Sequence, residues 1–123
     1  MIKTTKKDFK LFKEECQKWI EILGLKDWEV HFRHDMEFEE DRPRASIAAD
    51  IEGRVAVIYL SEQWQEYPTT AYNIKKSAFH EVCELMMMPL NINARDRYVT
   101  ESQLKESSHC VVMTLENVLF SKY

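Results

Sequence analysis

Apolar side chains recur at three- and four-residue steps over residues 5–24, at Phe9, Leu11, Phe12, Cys16, Trp19, Ile20 and Leu23. That period places them on one stripe of an α-helix. Thr5, with Asp8 three residues on, supplies a cap. Gly24 supplies a stop, because glycine takes the left-handed backbone that ends a helix without a Cβ penalty. The period then changes to two. In residues 27–33, Trp28, Val30 and Phe32 alternate with polar neighbours, as in a half-buried strand. The acidic stretch 35–41, closed by Pro43, reads as a loop. Alternation resumes over 45–51, Glu52 and Gly53 supply a turn, and residues 54–60 run back, which is a hairpin signal. The returning strand is apolar nearly throughout, which predicts a place at the centre of a sheet or under helices.

Residues 61–70, containing Pro68, form a connector. A helix is expected from about 70 to 88, halted by Pro89, since proline disfavours helical backbone at the residue before it. A loop over 90–98 follows. Thr100 with Gln103 is a capping-box pair opening a last helix to about 121, with Leu104, Val111, Val112, Leu115, Val118 and Leu119 facing inward. The order is helix, strands, helix, helix. It defines an α+β fold with an N-terminal helix, a small three- to four-stranded antiparallel-rich sheet and two packed helices, in one domain spanning 1–123.

Composition narrows the function. The chain is 45% apolar and 31% charged, as a folded globular domain is. Its 17 basic and 21 acidic residues give a net charge of −4. Nucleic-acid binding needs surplus cations to displace phosphate counterions, so no nucleic-acid partner is expected. Lys3, Lys6, Lys7, Lys10, Lys13 and Lys18 read as a solvated helix face. No apolar run approaches the ~20 residues of a membrane span, so no membrane partner is expected either. Cys16, Cys83 and Cys110 are odd in number and widely spaced, unlike a disulfide framework, which predicts a reducing cytoplasm.

The chemistry concentrates at Phe79-His80-Glu81-Val82-Cys83-Glu84-Leu85. On a helix, His80 and Glu84 project from one face about 6 Å apart along the axis, and so offer two ligands to one metal ion. Glu81, rotated about 100°, falls beside that ion, where a general base for its water should stand. His109 on the last helix, near Glu106 and Glu116, is the candidate third ligand, with water in the fourth position of a zinc site. Two imidazoles and one carboxylate suit zinc. Buried charge is costly unless paired or metal-bound, and His80 and Glu84 lie in an apolar stripe. Cys83 approaching His109 from across the helix pair is a weaker, cysteine-hydrolase alternative. Met86, Met87 and Met88 read as packing, and His31 and His34 as solvent-facing.

The segments AFHEVCELMM at 78–87 and ESSHCVVMTLENVLF at 106–120 resemble the small zincin-like metallopeptidases encoded by phages and prophages. The element order agrees along most of the chain. Zincins carry His-Glu-x-x-His on the first site helix; here Glu84 stands in place of the second His, and a His lies on the following helix. The resemblance implies His80, Glu84 and His109 as zinc ligands and Glu81 as the base. It also implies a protein or peptide substrate laid along a sheet edge, in a bacterial host cell's cytoplasm. Tyr98 reads first as a packed loop aromatic and second as an oxyanion donor, and Glu116 would be a supporting carboxylate. The alternative is a non-catalytic binding module on the same fold, with a structural metal or none.

Overall fold

The computed structural model describes residues 2–35 and 44–122. Most of the acidic stretch predicted as a loop lies outside them. The described residues form α1 (Lys6–Ile22), β1 (Glu29–Arg33), β2 (Ala45–Asp50), β3 (Val55–Leu60), α2 (Ala71–Arg95) and α3 (Glu101–Leu119), with a short 3₁₀ turn at Phe120–Lys122.

Helix α1 begins and ends as its residues dictate. The Thr5 hydroxyl accepts from the Asp8 amide and the Asp8 carboxylate accepts from the Thr5 amide, which satisfies two orphan donors. Gly24 ends it at φ +69°. Phe12 and Cys16 are fully buried, and the lysines face solvent.

The sheet has the order β1-β3-β2. β2 and β3 form the predicted antiparallel hairpin, with Ile47 opposite Ile58. β1 pairs with β3 in parallel, Phe32 opposite Ile58, so the sheet is mixed and not antiparallel throughout. The strand that is apolar nearly throughout is indeed central. Its alternate residues Ala56, Ile58 and Leu60 are buried, while Val55, Val57 and Tyr59 are half-buried. Helices α1 and α2 cover the first set. Phe12 and Cys16 meet Ile58 and Leu60 and the α2 residues Ile74, Ala78, Val82 and Leu85 in one core. A two-layer α+β domain results.

Pro89 does not end α2. The helix runs through it to Arg95, and the predicted loop over 90–98 shrinks to 96–100. Proline has no N–H for the carbonyl four residues back and crowds it, a cost of ~3 kcal/mol in a helix interior. Tertiary packing offsets that cost. Met86 and Met88 pack against the core, and Asn93 Nδ2 donates to Ser107 Oγ on α3. Thr100 and Gln103 form the predicted capping box of α3. The inward stripe expected on α3 is only partly realised. Leu104, Val111 and Val118 are half-buried, whereas Val112, Leu115 and Leu119 are exposed. The face α3 turns to α2 is set by Ser107, its one buried residue, and not by its largest apolar side chains.

Candidate metal centre

α2 lies beside β2, an edge strand of the sheet, and a groove runs between them. Its walls carry Ala45, Ser46, Ile47, Ala48 and Ala49 from the strand, and His80, Glu81, Glu84 and Met88 from the helix. Positions 77, 80, 81, 84 and 88 share a helix face because they recur at three- and four-residue steps. Val82, Leu85 and Ala78, offset by about 100°, turn into the core and fix that face toward the groove.

His80, Glu81 and Glu84 each place one ligand atom so that the three lie within 4.8 Å of one another. These residues can hold a metal ion. His80 Nε2 stands 3.8 Å from Glu84 Oε2, and both side chains open to solvent. Glu81 is different, being only 4% exposed. Its Oε2 finds no hydrogen-bond partner among the described residues. Burial, then a side-chain hydrogen bond with Glu84 and the charge of that neighbour, push the Glu81 carboxyl up to about 8. Buried polar atoms are nearly always satisfied. An unpartnered carboxyl oxygen beside an imidazole and a second carboxylate is what a cation would complete, so the three residues could hold a metal ion.

His109 is not brought to this cluster. Ser107 faces α2, and His109, two residues on, is rotated about 200° from it and is exposed. The level is also wrong. Asn93 meets Ser107, and His80 stands thirteen residues before Asn93, about 20 Å back along the axis. That distance brings His80 level with the far end of α3. The continuation of α2 through Pro89 makes the offset, since the expected site assumed a helix ending at 88. Glu116 is exposed too, about 180° from Ser107, and Glu106 lines a separate hollow of about 370 Å³ with Pro89 and Asn93. Tyr98 is 81% exposed beyond the end of α2, with Arg97 over its ring, and is remote from the cluster.

The other candidates separate cleanly. Cys83 is half-buried, and burial pushes its thiol up, the wrong direction for a nucleophile. His109 lies elsewhere, so Cys83 does not pair with it. His31 is exposed and pairs with Glu29 at 3.0 Å, as expected of a solvent-facing residue. His34 is a correction: it is half-buried, stacked on Phe9 with ring centroids 5.0 Å apart, and its Nε2 lies 2.7 Å from Thr4 Oγ1. Its sequence neighbours gave no sign of Phe9, which comes from another element.

Sequence reasoning missed the residues across the groove. Arg44 sits over the Tyr67 ring at 3.8 Å, and both share a hollow with Asn73, Lys76, His80 and Glu81. No local pattern links positions 44, 67 and 76. No family model matches the chain, nor does any curated protein or solved structure. No helix among the described residues is long and apolar enough to cross a membrane.

Proposed function

We propose that this chain is a zinc-dependent, zincin-like peptidase whose centre is held by α2 alone. The observation that carries the reading is the buried Glu81 carboxylate, with an unpartnered oxygen, beside the open His80–Glu84 pair on the wall of an edge-strand groove. His80 and Glu84 would hold the ion. When bound, zinc supplies Lewis acidity that brings the pKa of a water toward neutrality and polarises a carbonyl. Glu81 takes the proton from the attacking water and passes it to the leaving amine. Its burial keeps that carboxylate out of bulk solvent and fixes its direction. β2 orients an extended substrate by strand addition, which lays a peptide bond past the helix face.

Zinc content by elemental mass spectrometry, with cleavage of an unstructured protein, tests the reading. About one zinc per chain is expected, lost in His80→Ala and Glu84→Ala. Glu81→Gln should retain zinc and lower cleavage on the order of 10²- to 10⁴-fold. Loss of zinc in Glu81→Gln would make Glu81 a ligand and not the base. Absence of zinc from the wild-type chain after reconstitution would sink the enzyme reading.

The single imidazole in the cluster favours a second reading, a binding module that uses the groove without catalysis. Peptide binding with no zinc and no cleavage is its signature.

A further inference from the structure

The groove changes character one helical turn toward the start of α2. There a hollow of about 240 Å³ opens between Arg44, Tyr67, Asn73 and Lys76, with His80 and Glu81 also on its lining. Its two cations are arranged differently. Arg44 is held in place: its guanidinium lies 3.8 Å from the Tyr67 ring centre. Tyr67 is fixed by Trp64, 5.8 Å away between ring centroids, and by its hydroxyl donating to Asn73 Oδ1 at 3.4 Å. Asn73 in turn donates to the Pro68 carbonyl at 3.0 Å. Lys76 on α2 is exposed, as Arg44 also is, but has no ring beneath it among the described residues. Among the described residues, neither cation forms an ion pair.

We infer that this hollow is an anion subsite that takes a carboxylate of the peptide substrate next to the bond that the centre would cleave, an inference that rests on the peptidase reading. A preorganised guanidinium presents a planar fork that matches a carboxylate, and a lysine adds a mobile point charge. Lys76 stands four residues before His80, about 6 Å along the helix. An extended chain advances ~3.3 Å per residue. A carboxylate seated on Arg44 and Lys76 therefore belongs within one or two residues of the bond at His80 and Glu81. Two sources share that chemistry: the free C-terminus of the substrate and an Asp or Glu side chain near the bond.

The test is fluorescence anisotropy on the metal-free full chain, which separates binding from catalysis. Three N-terminally labelled alanine pentapeptides are compared: one with a free C-terminal carboxylate, its amide twin, and an amide carrying one Glu. At low salt, one or both carboxylate peptides should bind about tenfold tighter than the neutral amide. The preference should vanish in Lys76→Ala and in Arg44→Ala, and shrink with added salt. Which carboxylate peptide binds tighter identifies the source. Lys76 is exposed, so its variant retains the fold even if Arg44→Ala does not. Equal binding of all three peptides, or a preference that survives Lys76→Ala, overturns the subsite. Zinc-dependent cleavage with no carboxylate preference would remove the subsite and leave the peptidase. A carboxylate preference without cleavage by the zinc-loaded protein would do the reverse.

Discussion

Glu81 couples the candidate centre to the stability of the chain. Its carboxyl is raised from 4.5 to about 8 by burial and by Glu84. Between those values the folded, metal-free protein holds a proton that the unfolded chain has released. The contribution is therefore fully present below about pH 4.5 and is lost as pH rises through about 8. The thermal midpoint of metal-free protein should fall over that window, and Glu81→Gln should flatten the slope. A slope equally steep in Glu81→Gln would assign it to another group. At the same scale, zinc retention should be unaffected by His109→Ala, whose side chain faces away from α2. The pairing of His80 with Glu84 was legible because a four-residue step on a helix fixes a shared face. The position of His109 was not, because it depends on where α2 ends and which face α3 offers.

Helix α2 shows the limit of a local rule. The signal at Pro89 is sound as backbone chemistry, yet Met86 and Met88 before it and Asn93 beyond it make contacts that carry the helix across it. Pro89→Ala restores a donor and removes a clash, and should raise stability by about 1–3 kcal/mol in a denaturant titration. Helix α3 shows a different limit. Its apolar positions read as a core stripe, but Val112 and Leu119 are each 53% exposed. Leu85→Ala, in the fully buried part of α2, should cost about 2–5 kcal/mol. Val112→Ser with Leu119→Ser should stay within about 1 kcal/mol. A large loss there would show that this face is covered in solution. Caps and the hairpin were readable because each is decided within a few residues. Which of two apolar stripes on α3 is buried is decided by another helix.

For the molecule as a whole, element order follows from the sequence, while the nearly unbroken apolar pattern of β3 left two places open, the centre of a sheet or under helices. The parallel pairing of β1 with β3 does not follow, because nothing near residues 29–33 names the partner. The layers set thiol accessibility. Cys110 is exposed, Cys83 half-buried and Cys16 fully buried, with its Sγ 3.7 Å from the Ala78 carbonyl. Burial, with smaller effects from Glu81 and Glu15, pushes the Cys16 thiol up. A thiol reagent should therefore label Cys110 first, Cys83 more slowly, and Cys16 only on unfolding. Early labelling of Cys16 would contradict the packing of α1 on α2.

His80, Glu81 and Glu84 of the candidate centre all fall within five consecutive residues of one helix. Their assembly requires no long loop to close, in contrast to the pairing of β1 with β3 across more than twenty residues. Helix turns form on a sub-microsecond timescale, well before distant strands meet. A cation seated across that single turn would act as a staple on a nascent helix, capturing it while the sheet is still unformed. In such a chain the order of events reverses the usual one: the reactive constellation comes first, and the scaffold is built around it.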